Sequence, residues 1–158
     1  MVTAPLQFAV DRMLGRLAVW LRLLGYDATC APQRTGRALA RHARHEGRVI
    51  LTRDRRLLRE LNLPPTLFID SNDFRDQLRQ VISTYTLQPL PRIFTRCSRC
   101  NEAVVAIDKE QVRDQVPTYV FSTQDHFVHC PRCRRIYWPA THAERVREEL
   151  QRLGLNAA

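Results

Sequence analysis

Two hydrophobic periods alternate along the first half of the chain. Leu6 to Val10 is a short apolar run and predicts a strand. Asp11 then opens a helix in which Met13, Leu14, Leu17, Ala18, Trp20, Leu21 and Leu24 form a broad apolar face, and Gly25 stops it. Tyr26 to Cys30 predicts a second strand, and Arg37 to Glu46 a second helix with Gly47 behind it. Arg48 to Thr52 is a β-branched run between polar residues, hence a third strand. Arg55 to Leu61 predicts a short helix, and Thr66 to Ile69 a fourth strand after Pro64-Pro65. Phe74 to Tyr85 predicts a helix with Asp73 as N-cap and an apolar side of Phe74, Leu78, Val81, Ile82 and Tyr85. Strand and helix alternate at spacings that suit βαβ crossovers. The expectation is an α/β fold: a parallel sheet with helices on both faces.

The pattern changes after Gln88-Pro89-Leu90-Pro91, where two prolines in four residues cannot continue the preceding helix. This segment is the expected linker between a first domain over 1–87 and a second over 93–158. Short strand-like pieces follow at Ala103 to Ile107, His126 to His129 and Ile136 to Trp138, and Ala143 to Leu153 predicts a charged terminal helix. Around the strands stand two pairs, Cys97-Ser-Arg-Cys100 and Cys130-Pro-Arg-Cys133. Two residues between thiolates let one tight turn aim both sulfurs at one ion, and two such turns complete a tetrahedron around zinc. Two disulfides or unrelated thiols are the competing readings, and the double spacing favours metal. Four sulfurs fill the coordination sphere, so the zinc is expected to be structural and to supply folding free energy to a small ribbon. His126, His129 and His142 lie near enough in sequence to replace a cysteine but read better as surface or neighbouring residues. The segment between the pairs leaves room for a hairpin or an inserted loop. Cys30 stands alone and reads as a core residue at a strand end.

Composition narrows the function classes. Of 158 residues, 44% are hydrophobic, which supports a packed core and excludes wholesale disorder. The longest apolar-rich stretch, Met13 to Leu24, carries Arg16 and Arg22 and is too short and too charged to span a bilayer. No membrane partner is expected, nor is a secretory leader evident, so the expected location is cytoplasmic. Formal charge is +9, and Lys109 is the sole lysine. Arginine offers phosphate a planar fork and stacks on bases, so the balance points to a polyanion, with RNA or DNA first. A proteome that uses arginine as its general surface charge would give the same balance.

In a parallel sheet, functional groups gather at the carboxyl ends of the strands. Asp11 follows the first strand, Asp54 the third, and Asp70 ends the fourth, with Asp73 three residues on. Carboxylates converging on one rim repel each other unless hard cations sit between them, and Mg²⁺ or Mn²⁺ held there can activate water against a phosphodiester. Each acid also has a plain alternative as a helix cap or turn residue. Arg12, Arg16, Arg53, Arg55 and Arg56 flank these acids and are expected RNA contacts. Arg99, Arg132, Arg134 and Arg135 on the cysteine knuckles form a second set.

These residues, in this order, resemble the Mut-seven C-terminal RNase domain family. The likeness lies in Asp11-Arg-Met-Leu-Gly-Arg-Leu-Ala-Val-Trp-Leu-Arg-Leu-Leu-Gly25 with Tyr26-Asp27, in Ile50-Leu-Thr-Arg-Asp54, and in Gln77-Leu78. It continues through Arg96-Cys97-Ser98-Arg99-Cys100-Asn101, Cys130-Pro-Arg-Cys133, and Ile136-Tyr137-Trp138 to Thr141-His142. The resemblance covers about residues 7–147. It implies a PIN-like sheet with an appended zinc ribbon, and it puts Asp11 and Asp54 in the positions of metal-binding acids. PIN-like sites draw a further acid from the start of the helix after the second strand. Here that region reads Gln33-Arg34-Thr35-Gly36-Arg37, and the next acid, Glu46, lies at the helix's far end. Asp70 or Asp73 then compensates, or activity is reduced. The expected function is a metal-dependent ribonuclease whose zinc ribbon aids RNA binding. The alternative is a weak or inactive PIN-like protein that binds RNA or the ribosome. A DNA-binding regulator built on the ribbon is a weaker third.

Overall fold

The computed structural model describes residues 5–88, 92–138 and 140–155, with the side chains of 140–142 outside that description. Pro89, Leu90 and Pro91 of the expected linker and the His142 side chain therefore lie outside the described residues. The chain forms two compact units. One takes residues up to Arg22 together with Tyr26–Leu87, and the other takes Leu23–Gly25 together with the residues from Gln88 on.

The first unit is an α/β layer structure. Its strands are β1 (Gln7–Val10), β2 (Asp27–Thr29), β3 (Val49–Thr52) and β4 (Thr66–Phe68). They form one sheet in the order β2-β1-β3-β4, and every pairing is parallel. Helices α1 (Gly15–Leu23) and α2 (Gly36–Glu46) run between them, and α3 (Phe74–Tyr85) follows β4. Successive residues of a strand point to opposite faces, and β1 shows both. Ala9 packs with Leu39, Ala40 and Ala43 of α2 and with Ile50 and Leu57. Phe8 meets the rings of Tyr26 and of Tyr85 on α3. Trp20 of α1 stacks on Phe74 of α3 at 5.7 Å, so α1 and α3 share the face opposite α2. The β3 strand is buried along its whole length, as a central parallel strand covered on both faces must be.

Local chemistry explains two of the helix ends. The Asp73 carboxylate accepts from the Arg75 N–H at 2.9 Å and so caps α3. Gly47, with a left-handed φ of 65°, ends α2 by donating its N–H to the Ala43 carbonyl. Two helices differ from the sequence expectation. The segment behind Asp11 begins as a 3₁₀ turn over Arg12–Leu14 and becomes α-helical at Gly15, and the expected helix after Arg55 is a single 3₁₀ turn over Leu57–Arg59.

The second unit holds an antiparallel sheet of β5 (Val105–Ile107), β6 (Phe127–His129) and β7 (Ile136–Tyr137) in that order. Helix α5 (Ala140–Arg152) follows the sheet and begins three residues earlier than the sequence suggests. The segment between the cysteine pairs is ordered as a 3₁₀ turn over Lys109–Val112 and helix α4 (Thr118–Thr123). Val112, Val120 and Phe127 are buried there, with Ile107, Val116, Phe121, Ile136 and Trp138 packed around them. The ribbon thus carries a small apolar core that the sequence reading did not foresee. Among the described residues, no helix is long and apolar enough to cross a membrane.

Candidate active site and metal centre

The sheet order decides where a ligand can enter. The chain leaves β1 toward β2 on one side and later passes to β3 on the other. The order therefore reverses between β1 and β3, and the carboxyl ends of those strands border the crevice at which open α/β sheets bind ligands. Asp11 and Asp54 follow the strands that flank this switch point. Asp11 is 4% exposed. Its backbone N–H donates to the Leu51 carbonyl at 2.9 Å, which fixes it to the neighbouring strand. Its carboxylate accepts from the Thr52 hydroxyl at 2.7 Å, and that same hydroxyl accepts from the Asp54 N–H at 2.9 Å. Thr52, fully buried at the end of β3, therefore ties the two acids together. Asp54 is half-buried, and its carboxylate accepts from the Arg56 N–H at 2.8 Å. Asp11 thus has no capping bond to the helix behind it, and its side chain turns to Thr52 instead.

The other two acids are exposed and otherwise engaged. Asp73 caps α3. Asp70 exchanges hydrogen bonds with Gln80 of α3: its N–H donates to Oε1 at 3.1 Å, and its carboxylate accepts from Nε2 at 3.2 Å. Among the described residues, the four cysteines form the sole group of three or more acid, histidine or cysteine ligand atoms within 4.8 Å of one another. The aspartates do not form such a group. Cys30 is half-buried at the end of β2, and its thiol donates to the Asp11 carbonyl at 3.8 Å. Burial pushes that thiol's pKa up.

Several expected RNA contacts carry structural duties as well. Arg53 is half-buried and donates to the Ile69 carbonyl at 2.7 Å, linking the ends of β3 and β4. Arg55 lies 5.0 Å over the Phe68 ring, and Arg16 lies 3.7 Å over that of Phe74. Arg12 and Arg56 are exposed, as are Arg99, Arg132, Arg134 and Arg135 on the ribbon.

The cysteine pairs are two copies of one turn. In each, the second cysteine's N–H points at the first one's sulfur: Cys100 to Cys97 Sγ at 3.3 Å and Cys133 to Cys130 Sγ at 3.4 Å. The residue after each pair, Asn101 or Arg134, is left-handed and donates to the first cysteine's carbonyl at 2.9 Å. Each turn is closed by a further backbone bond, Cys97 N–H to Glu102 and Cys130 N–H to Arg135. All four thiols are free, and Cys97 Sγ lies 3.7 Å from Cys133 Sγ, far beyond a disulfide length of about 2.05 Å. Cys97 and Cys130 are buried, while Cys100 and Cys133 are half-buried. Four convergent sulfurs with N–H groups directed at two of them fit a zinc ion. The Tyr137 hydroxyl sits 3.0 Å from Cys97 Sγ. Burial opposes ionisation of Cys97, yet the Tyr137 hydroxyl and the Cys100 and Arg99 N–H groups bring its pKa down to about 7. Burial and the neighbouring Cys133 push Cys100 up to about 12. Crowded thiols at this spacing cannot all ionise without a cation among them. His126 is exposed and His129 half-buried on β6, and neither joins the sulfur group.

Sequence reading missed Thr52 and Tyr137. Thr52 was visible only as one residue of Ile50-Leu-Thr-Arg-Asp54, and its role requires knowing that β1 and β3 are neighbours. Removing its hydroxyl should expose the dependence. Thr52→Val leaves a buried carboxylate without this donor, and we expect a loss of about 3 kcal/mol in a denaturant titration. An unchanged midpoint would show that Asp11 does not rely on Thr52.

One family description matches the chain: the model of the Mut7-C RNAse domain aligns with residues 6–150. No curated protein and no solved structure matches it.

Proposed function

Because the chain belongs to the Mut7-C RNAse domain family, we propose that it hydrolyses RNA phosphodiester bonds at Asp11 and Asp54 with Mg²⁺ or Mn²⁺. The observation that carries this reading is the joint anchoring of the two acids at the switch point through Thr52. Mg²⁺ commonly takes one or two protein carboxylates and completes its shell with waters and substrate phosphate, so two acids meet its minimum. When bound, the ion supplies an activated water and charge stabilisation at the scissile phosphate. The protein's own part is to hold the acids. Thr52 fixes the Asp11 carboxylate, the Arg56 N–H fixes that of Asp54, and exposed Arg12 and Arg56 stand beside them to take phosphates. In this proposal the first 87 residues form the nuclease-type domain, and residues from 93 on form the ribbon, with zinc on Cys97, Cys100, Cys130 and Cys133. The location is the cytoplasm, where RNA is at hand and thiols stay reduced.

A second reading has its own support. Asp70 and Asp73 are engaged with α3, and Gln33 to Arg37 supplies no acid. A protein with two acids and many arginines could hold RNA, alone or on the ribosome, and cut it weakly. Incubating labelled RNA with the purified protein in Mn²⁺ or Mg²⁺, and in a chelator control, decides between them. Chelator-sensitive cleavage supports the enzyme, and binding without cleavage in either metal supports the RNA-binding protein.

Both readings share an electrostatic expectation. Affinity for RNA should fall about 10³-fold or more between 50 and 200 mM salt if six or more phosphates are contacted. Equilibrium binding across that salt range checks it, and an affinity that does not move would show that the arginines take no part.

A further inference from the structure

We propose that the cleft of the second unit between its sheet and α5 is a pocket for one unpaired nucleobase of an RNA strand, with the adjoining phosphate held by Arg147. The inference rests on the RNA-directed reading above and gives the ribbon a recognition role that its cysteines alone do not imply. The cavity has a volume of about 270 Å³ and is walled by Phe94, Tyr137 and Trp138, with His126 and Arg147 among its lining residues. Pockets for drug-sized ligands run from about 300 to 1,000 Å³, so this one suits a single ring system.

Three features select a base over other small ligands. The first is aromatic surface. Phe94, Tyr137 and Trp138 are each half-buried, so part of every ring is left for a guest. The second is rigidity. The Tyr137 hydroxyl is tied to Cys97 Sγ at 3.0 Å and lies 3.5 Å from Ser98 Oγ, and the Trp138 ring meets that of Phe127 edge-on at 6.4 Å. Rings already held in place lose little freedom when a base stacks on them. The third is charge. Arg147 is exposed, on a chain of net charge +9, and so can meet a backbone phosphate while the base enters. A purely apolar guest would make no use of Arg147 or His126, and a small inorganic anion would make no use of three rings. Because Tyr137 is anchored on a cysteine of the zinc group, the pocket wall and the metal knuckle are one construction.

Trp20 and Trp138 are the two tryptophans of the chain, so Trp20→Phe leaves Trp138 as the sole indole reporter. Zinc-loaded, full-length Trp20→Phe protein should show saturable quenching with hexaadenylate RNA and none with a linear polyphosphate of equal charge. By anisotropy with labelled hexaadenylate, Trp138→Leu should weaken binding about tenfold, the loss of one stacked base. Arg147→Gln should weaken it severalfold and lower the salt slope by about one phosphate. Arg147 is exposed, so that variant tests the pocket even if Trp138→Leu loosens the ribbon, and zinc content reports on the fold in both. Equal binding by wild type and both variants, or equal quenching by polyphosphate, overturns the pocket and leaves the RNA-directed reading standing. A wild-type protein with no affinity for RNA overturns both.

Discussion

Cys100→Ser is expected to release zinc and unfold the ribbon while the sheet of the first unit keeps its cooperative melt. Purified wild-type protein should carry about one zinc per chain, because four thiolates complete a structural tetrahedron. Zinc binding in small metal-held modules is worth about 10–16 kcal/mol, and it is folding free energy there. The described core of the ribbon around Val112, Val120 and Phe127 is too slight to stand in for it. By contrast, Phe8, Leu17, Leu21, Leu51 and Leu78 of the first unit are fully buried without reference to the metal. Elemental analysis should show zinc lost from the variant. Hydrogen exchange should show protection lost along β5, β6 and β7 and retained along β1 and β3. Affinity should also fall as pH falls, because thiolates and not thiols hold the ion. Zinc-free wild-type protein with its four cysteines in disulfides would overturn the assignment.

The second large effect belongs to Asp11→Asn. Asparagine keeps the shape and can still accept the Thr52 hydroxyl, so the local hydrogen bonds survive. Only the charge that would hold a cation is removed. Cleavage should fall by roughly three orders of magnitude, or about 4 kcal/mol of transition-state stabilisation. RNA binding should hold or tighten slightly, since one repulsive charge near the phosphates is gone. Asp54→Asn should behave alike, its amide oxygen still accepting from the Arg56 N–H. Asp73→Asn should leave cleavage unchanged, because asparagine caps a helix as well as aspartate does. Asp70→Asn reads out whether the carboxylate near Gln80 takes part. Single-turnover cleavage of labelled RNA, with melting temperatures alongside, checks the series. Undiminished cleavage by Asp11→Asn excludes this site.

Strong local signals made much of the fold legible. Helix α3 runs from Phe74 to Tyr85 as the periodicity and the Asp73 cap predict, since both signals are local and agree. All four strands of the parallel sheet lie within the segments from which they are expected. The segment between Ile107 and Phe127 was not legible, because a 3₁₀ turn and a six-residue helix are too short to show a period. At the site, the cysteine group was legible from spacing alone, since each turn is closed within six residues. The pairing of Asp11 with Thr52 spans 41 positions, and no local pattern encodes it. The same holds for Phe94, Tyr137 and Trp138, whose aromatic character was plain but whose convergence is a property of the fold.

Sheet order has a further consequence, for self-association. The outer strands β2 and β4 are three residues each, one shorter than the inner pair. Pro64 and Pro65 stand immediately before β4 and have no N–H with which to lengthen it, and Asp27 at the start of β2 is paired to Arg48 at 2.5 Å. Open strand edges are templates on which a second chain can add, and short, proline-flanked or charged edges make poor ones. A sheet built this way can be made in quantity without zipping onto its copies. The residues that guard it, Asp27 and the two prolines, then serve solubility and not chemistry. Exchanging Pro65 for a β-branched residue would be expected to show itself first in the test tube, as turbidity.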